Sequence, residues 1–407
     1  MKYGLIGKSL PHSFSKNIHG FLGNSEYELT EIPPENLEAF FCKKDFCGIN
    51  VTIPYKEKAM AYCIPDNDAQ KIGSVNTIVN KNGTLYGYNT DYFGFCFMAK
   101  LAGISFNGKK VVILGSGGTS KTAAFAARDG GAKETVIVSR NGENNYGNIA
   151  RHSDCGILVN TSPVGMLPGN GQSPVSLQIF KNLSAVIDVV YNPLRTRLLL
   201  EAKELGIPAA GGLSMLAAQA VMAHNLFFNI QPNADEDALK IKEIFSKTEK
   251  CFSNIVLIGM PGCGKTTIGK KLAALLEMKF TDTDHVVEQL TGRSIPDIIG
   301  TNGEQFFRGL EREAIAEAGM QLRQVIATGG GSILLQENRH ALAQNGIIIF
   351  LDRPLEQLAV SGRPLSVNLP ELYRQRLPLY ESFCMHKITV SNDLHSNVRK
   401  IIAVIEK

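Results

Sequence analysis

No CxxC pair occurs among the eight cysteines of this 407-residue chain, which removes both a zinc knuckle and a spaced disulfide framework. Neither sign of charge dominates. The 42 Lys and Arg stand against 38 Asp and Glu, a formal balance of +4, so the basic footprint of a nucleic-acid binder is missing. No apolar run reaches the ~20 residues of a membrane span. Lys2 is followed directly by the strand-like YGLIG, which leaves no room for the apolar core of a signal peptide. Internal repeats and low-complexity tracts are also missing. The expectation is a soluble chain of the reducing cytoplasm that binds neither nucleic acid nor membrane.

Core-forming material is plentiful. Hydrophobic residues make up 44% of a chain longer than one typical domain. The segment QPNADEDALKIKEIFSKTEKCFSN starts as a polar Pro/Asn/Asp patch, continues as a short amphipathic helix and stops before an apolar strand. A boundary near Lys250 divides the chain into 1–250 and 251–407, both ordinary domain sizes.

The most specific motif is GMPGCGKTT, Gly259 to Thr267, between the apolar run Asn254–Ile258 and a helix-like segment. In such a strand, loop and helix the glycines let backbone N–H groups converge on phosphate oxygens. A Lys reaches the terminal phosphates and a hydroxyl ligates Mg²⁺. Gly259, Gly262, Gly264, Lys265, Thr266 and Thr267 supply those parts, which makes ATP with Mg²⁺ the expected ligand.

A looser glycine turn lies upstream, where Lys110–Leu114 leads into Gly115-Ser-Gly-Gly-Thr-Ser-Lys121 and an Ala-rich helix. This is how the βαβ unit of a dinucleotide site opens, with the helix N-terminus facing the pyrophosphate. Ser120 stands where a strict GxGxxG has its last glycine. The next strand, Thr135–Val138, ends in Ser139-Arg140 instead of an acidic residue, and an Arg there can take a ribose 2′-phosphate, which favours NADP. A solvated surface Arg is the other reading.

Three polar clusters precede this turn: Ser13 and Ser15 in SLPHSFSKNIHG, the run Asn50-Val-Thr-Ile-Pro-Tyr-Lys56, and Val75-Asn-Thr77 with Tyr88-Asn-Thr-Asp91. A polyhydroxylated carboxylate needs many short donors and acceptors in one cleft, plus a cation. Taken singly, Ser13, Ser15 and Asp91 also read as helix caps and Lys56 as one solvated lysine of YKEK. Periodicity does not choose between these readings.

PHSFS, NVTIPYKE, SVNT, GYNTDYFGF, LGSGGTSKTA, NTSPVGM, DVVYNP and GGLSMLAAQA, in that order over nearly all of residues 1–245, resemble shikimate dehydrogenase. GMPGCGKTTIG, FTDTD, GEQFFRGLERE, ATGGG, IIIFLD, GRPL and RQRLPLYE, over 254–407, are similar to shikimate kinase. The whole chain thus resembles a bifunctional enzyme of the shikimate pathway, which leads to chorismate and the aromatic amino acids.

The dehydrogenase resemblance implies that Ser13, Ser15, Asn50, Thr52, Asn76, Asp91, Gln219 and, at the cleft, Tyr191 hold the substrate. Lys56 and Asp91 would form the catalytic pair for reducing 3-dehydroshikimate to shikimate with NADPH. It assigns Gly115, Gly117, Gly118, Ser139 and Arg140 to the adenosine phosphate end of NADP, and Gly212 and Met215 to the nicotinamide. On spacing alone Met215 is equally a core residue of an apolar helix. The chain departs from the family between Arg140 and Gly156. NGENNYGNIARHSDC has about fifteen residues where a crossover helix with its strand needs ~30, so an abridged cofactor sheet is expected.

The kinase resemblance places Asp282 on the Mg²⁺ shell through water and Asp284 on the ring hydroxyls, as the group that orients or deprotonates the 3-hydroxyl of shikimate. Arg308 and Glu311, three apart on an expected helix, have the spacing of a surface ion pair. The resemblance gives Arg308 to the substrate carboxylate, Glu311 to ordering that site, Gly329, Gly330 and Gly331 to close backbone approach, and Arg376 to the carboxylate as a second cation. Arg374 reads as a solvent neighbour. Arg363 falls on a proline-bearing stretch expected to close over ATP.

Both halves are expected to be α/β. The first would have a substrate lobe, about 1–95 and 215–245, and a Rossmann-like NADP lobe, about 96–214. The second would be a P-loop kinase of the nucleoside monophosphate kinase type. A redox-inactive shikimate-binding module fused to a kinase, or a dehydrogenase preferring quinate or NAD, are the alternatives.

Overall fold

The computed structural model describes residues 1–11, 13–358 and 369–406. The chain divides into two compact units, Met1–Glu249 and Lys250–Lys407. The helix Ala234–Phe252 carries the chain across that division, with one residue between its end and the next strand. Its buried Ile241, Ile244 and Thr248 keep a helical period, so the amphipathic pattern runs on to Phe252.

The first unit holds two sheets. Strands β1 (Tyr3–Gly7), β2 (Tyr27–Glu31), β3 (Gly48–Val51), β4 (Ile64–Pro65), β5 (Thr77–Lys81) and β6 (Thr84–Tyr88) form a mixed sheet ordered β2-β1-β3-β5-β6-β4. The β1, β2 and β3 strands run parallel, and β5 turns antiparallel against β3 and β6. Asn50 and Thr77 are thereby cross-strand partners.

The second sheet is parallel: β7 (Lys110–Leu114), β8 (Glu134–Val138), β9 (Ile157–Asn160), β10 (Ala185–Asp188) and β11 (Ala209–Gly211), ordered β11-β10-β9-β7-β8. Its apolar side chains alternate between two cores, as a period of two requires. Val111, Ile113, Ile157 and Val159 face one core, while Val112, Leu114, Leu158 and Val186 face the other. Between β8 and β9 there is a 3₁₀ turn, Ile149–His152, and β8 pairs with β7 alone among the described strands. The short segment after Arg140 therefore leaves β8 at the sheet margin.

The helices Thr90–Leu101 and Gly212–Phe228 pack closely. A Cβ at Gly94 would lie 2.7 Å from the Met215 carbonyl oxygen, so this contact needs glycine. That approach brings Asp91 and Gln219 towards one another from distant parts of the sequence.

In the second unit β12 (Asn254–Ile258), β13 (Lys279–Asp282), β14 (Gln324–Ala327), β15 (Gly346–Asp352) and β16 (His386–Thr389) form a parallel sheet ordered β13-β14-β12-β15-β16. β12 is fully buried and joins the central core of Ile255, Val256, Leu257 and Ile258. The carboxyl ends of β12, β13 and β14 carry the phosphate loop, Asp282 and the triple glycine. This is the edge where open α/β sheets bind ligands. No helix among the described residues is long and apolar enough to cross a membrane.

Candidate active sites

In the first unit, Lys56 follows the loop after β3 and Asp91 opens the helix Thr90–Leu101. The Lys56 Nζ donates to Asp91 Oδ2 at 2.6 Å, with the side chains only 14% and 9% exposed. Asn89, not Asp91, caps that helix by accepting from Tyr92 N–H, so the Asp91 carboxylate is left for the lysine.

Around this pair lies a polar network. Asn76 Oδ1 accepts from Thr90 N–H at 2.7 Å and Asn76 Nδ2 donates to Thr90 Oγ1 at 3.0 Å. Asn50 Nδ2 donates to Thr77 Oγ1, Tyr27 donates its hydroxyl proton to Asn50 Oδ1 at 2.7 Å, and Gln219 Oε1 accepts from Thr90 Oγ1 at 3.5 Å. Asn50, Asn76 and Gln219 therefore meet in one buried network. Thr52 sits in the turn that ends at Lys56, where its carbonyl accepts from Tyr55 N–H.

Ser13 and Ser15 precede and open the helix Ser15–Phe21. Phe14 occupies the cap position and gives no side-chain cap, while Ser13 Oγ accepts from Ser15 N–H at 3.2 Å. Tyr191, on the loop after β10, rests against Phe14 with ring centroids 5.2 Å apart. Burial raises its phenol pKa and a hydrogen bond with Ser13 opposes the rise. Tyr27 was not singled out by residue pattern, because it lies on β2 and reaches Asn50 only in the folded sheet; Thr77 and Thr90 fall within the polar runs 75–77 and 88–91, and the register of β3 against β5 brings Thr77 to Asn50.

The glycine turn can hold a dinucleotide. Gly115 has φ +114°, and a Cβ there would lie 2.8 Å from Thr161 Oγ1. Nothing lies within 4 Å of a Cβ at Gly117, and Gly118 opens the helix Gly118–Asp129. A Cβ at Gly118 would lie 3.7 Å from the Lys56 side chain, so turn and lysine are neighbours. Ser139 and the exposed Arg140 follow β8 directly. Gly212 has no room for a side chain, since its Cβ would lie 2.1 Å from the Val189 carbonyl oxygen, and Met215 is buried one turn further on.

In the second unit a cleft of about 500 Å³ is lined by residues of the phosphate loop, Asp282, Asp284, Arg308, Glu311, the three glycines 329–331 and Arg376. Gly259, Gly262 and Gly264 have φ of +145°, +83° and +101°, conformations that favour glycine. Lys265 Nζ donates to the carbonyls of Gly259 and Met260 at 2.8 and 2.9 Å. Thr266 Oγ1 donates to Asp282 Oδ2 at 2.7 Å. A hydroxyl and a carboxylate side by side suit Mg²⁺, a hard cation that takes oxygen ligands and keeps several waters. Thr267 lines the same cleft.

Asp282 caps the helix Thr283–Thr291 by accepting from Asp284 N–H, which fixes Asp284 two residues beyond the carboxylate that Thr266 engages. Burial, then the charges of Asp282 and Glu311, push the Asp284 carboxyl up to about 6, with Lys265 and Arg308 opposing. Its Oδ1 is buried with no hydrogen-bond partner among the described residues.

Arg308 and Glu311 form a pair at 2.8 Å in which Glu311 is only 1% exposed, so the surface-pair reading fails here. Glu311 also accepts from Ser332 Oγ at 2.8 Å, and Glu304 contacts Arg308 at 2.9 Å. Each glycine of the triple is tight. Added Cβ atoms would lie 2.6 Å from Asp284 Oδ1 at Gly329, from Pro261 Cδ at Gly330 and from Arg308 Nη2 at Gly331. Arg376 is buried and Tyr380, one turn on, donates to the Gly330 carbonyl; Arg374 is 78% exposed and paired with Glu371. Arg363 lies outside the described residues. Ser332 and Tyr380 are additions that fold geometry reveals, though both adjoin recognisable motifs. A second recess of about 650 Å³, lined by residues such as Met98, Leu199, Phe245 and Glu249, contains none of these groups.

These two constellations define an α/β oxidoreductase unit followed by a P-loop phosphotransferase unit. The family model for the shikimate dehydrogenase substrate binding domain matches residues 5–78, and that for shikimate kinase matches 261–406. The shikimate dehydrogenase (NADP(+)) of Clostridium perfringens strain 13 is 37% identical over 258 residues, spanning 56% of this chain and 93% of the relative. A shikimate dehydrogenase structure from Peptoclostridium difficile covers 61% of this chain and 99% of its own at 33% identity and a TM-score of 0.56. That of Thermus thermophilus, solved with NADP(H) and shikimate, covers 60% and 99% at 31% identity and a TM-score of 0.53. The chain belongs to the shikimate dehydrogenase family and carries a shikimate kinase domain behind it, which makes it a bifunctional shikimate-pathway enzyme, both oxidoreductase and kinase.

Proposed function

We propose that residues 1–250 reduce 3-dehydroshikimate to shikimate with NADPH, and that residues 251–407 phosphorylate the 3-hydroxyl of shikimate with Mg²⁺ and ATP. Within the first part, about 1–95 and 215–245 hold the substrate and about 96–214 hold NADP. The observation that carries the redox reading is the desolvated Lys56–Asp91 pair lying against the turn at Gly118. All eight cysteines are free thiols, which supports a cytoplasmic setting.

NADPH supplies a hydride to the C3 carbonyl. Lys56, oriented by its hydrogen bond to Asp91, stabilises the alkoxide that develops there and delivers the proton to its oxygen, directly or from water. Ser13, Ser15, Thr52, Asn76, Gln219 and Tyr191 bind the hydroxyls and carboxylate. Asn50 acts beside them, although Tyr27 and Thr77 already engage its amide. Arg140 holds the 2′-phosphate that separates NADP from NAD.

At the second site ATP supplies the phosphoryl group and Mg²⁺ neutralises charge on it. Thr266 ligates the metal and Asp282 acts on it through water, while Lys265 and the loop amides bind phosphate oxygens. Asp284 accepts the proton of the 3-hydroxyl. Arg308, ordered by Glu311, and Arg376 bind the substrate carboxylate bidentately.

A one-pot assay with 3-dehydroshikimate, NADPH and Mg·ATP tests the whole reading, each nucleotide being omitted in turn. NADPH oxidation without ATP, and shikimate 3-phosphate only with both, are expected. Phosphorylation of added shikimate while NADPH stays intact would reduce the first unit to a binding module.

A further inference from the structure

Asp188, at the carboxyl end of β10, is a fully buried carboxylate that neither reaction above uses. Three donors converge on it. Val190 N–H and Asn160 Nδ2 each reach Oδ1 at 3.0 Å, and Thr196 Oγ1 reaches Oδ2 at 2.6 Å. Burial raises its pKa to about 6, with the same three hydrogen bonds opposing.

Each donor belongs to a segment that shapes the cofactor side of the unit. Asn160 Oδ1 accepts from Ser162 N–H and Oγ at 3.1 and 2.7 Å, and Thr161 Oγ1 donates to the Leu114 carbonyl at 2.8 Å. This loop presses on the glycine turn, since a Cβ at Gly115 would lie 2.8 Å from Thr161 Oγ1 and 3.1 Å from Ser162 N. In the other direction, the Val190 carbonyl accepts from Gly212 N–H at 3.2 Å, and Gly212 sits against Val189 with no space for a Cβ. Thr196 caps the helix Arg197–Glu204 by accepting from Leu199 N–H. Asp188 is thus the shared acceptor between the turn at Gly115 and the start of the helix that carries Met215.

We propose that Asp188 is a positioning residue for the NADP cleft, holding the pyrophosphate turn at Gly115 and the nicotinamide end at Gly212 and Met215 in register without touching the cofactor. The inference rests on the cofactor assignment above. Loss of the carboxylate leaves the Val190 N–H and the Thr196 hydroxyl without their acceptor and Asn160 Nδ2 with only the Val164 carbonyl at 3.3 Å, and the lost partners are regained only if the loops move apart. An Asn at this position keeps its oxygen for Val190 and Asn160 and turns its Nδ2 to Thr196, whose hydroxyl can accept. Conservative and truncating changes therefore separate the role from simple packing.

Steady-state kinetics of the full chain test it, with the kinase reaction as an internal control. Asp188→Ala is expected to raise KM for NADPH about tenfold or more. KM for 3-dehydroshikimate and the kinase kcat/KM should stay within about twofold, and Asp188→Asn should return KM for NADPH to within about threefold of the unsubstituted chain. An unchanged KM for NADPH, a parallel rise for both substrates, or an Asn variant as impaired as the Ala variant would overturn the role. If Asp188→Ala yields no soluble protein, Thr196→Val, which removes one donor, is expected to raise KM for NADPH about two- to fivefold, and no rise there overturns it equally. An unsubstituted chain that shows no saturation with NADPH removes the cofactor assignment itself, whereas saturation with an unmoved Asp188→Ala removes only this residue.

Discussion

Lys56 Nζ lies 2.6 Å from Asp91 Oδ2, although one residue follows β3 and the other opens a helix beyond β6. A pair so little exposed contributes little net stability, because desolvation offsets its Coulomb attraction. Its value is chemical, since a largely buried ammonium and carboxylate in contact can orient a group that passes a proton to substrate. Lys56→Ala is expected to lower dehydrogenase kcat by about 10³-fold, within the 10² to 10⁴ typical of a general acid. Kinase turnover with added shikimate, measured on the same preparation, should be unchanged. Equal loss of both activities would point to a damaged chain and against the assignment.

Arg140 bears on cofactor choice. It follows β8 as an exposed side chain at the place where an acidic residue would take a ribose 2′-hydroxyl. Arg140→Ala should raise KM for NADPH by about 10- to 100-fold, the loss of roughly 1.5 to 3 kcal/mol of charged hydrogen bonding. KM for NADH should hardly move. If the two constants shift together, the 2′-phosphate is held elsewhere.

The parts of both sites legible in the residue order are those where backbone geometry dictates residue type. Gly115, Gly259, Gly262 and Gly264 all have positive φ, and glycine alone takes such conformations freely. The network around Asn50 was not legible in the same way. Its partners Tyr27 and Thr77 are more than twenty residues away, and only sheet register brings them near. The Arg308–Glu311 spacing was equally mute, since a surface pair and a buried one share it. Burial of Glu311 beneath Ser332 decides the matter. The boundary near Lys250 falls inside the helix Ala234–Phe252, where charged and apolar residues alternate as they would in any solvated helix.

His19 gives the first unit an acid sensitivity. It is fully buried, stacked on Tyr27 with centroids 3.8 Å apart, and burial followed by the charge of His224 lowers its pKa to about 3. The folded state keeps the ring neutral while the unfolded chain protonates below ~6.5. Stability is therefore fully present above that value and falls as pH drops towards 3, by about 2 kcal/mol at pH 5. His19→Phe should lose less stability between pH 7 and 5 than the unsubstituted chain. Hydrogen exchange of peptides from β1 and β2 at both pH values reads this out, and equal losses would exclude His19.

Asp284 combines a kinetic with a thermodynamic expectation. Its pKa of about 6 means that folding favours the neutral acid, yet proton abstraction from the substrate hydroxyl needs the carboxylate. Kinase kcat/KM should thus fall as pH drops through about 6, and Asp284→Asn should lose about 10³-fold or more of it above pH 6, with the gap to the unsubstituted chain narrowing at lower pH. For stability the sign is opposite to that of an ordinary paired carboxylate. The contribution is present below the unfolded value near 3.8 and is lost as pH rises through 6, reaching up to ~3 kcal/mol above that. Asp284→Asn should therefore protect β12 and β14 against hydrogen exchange at pH 8 more than the native residue does, with the difference fading by pH 4. A variant both inactive and less protected at pH 8 would mean that Asp284 supports the cleft instead of straining it, and its role as the proton acceptor would lose its electrostatic basis.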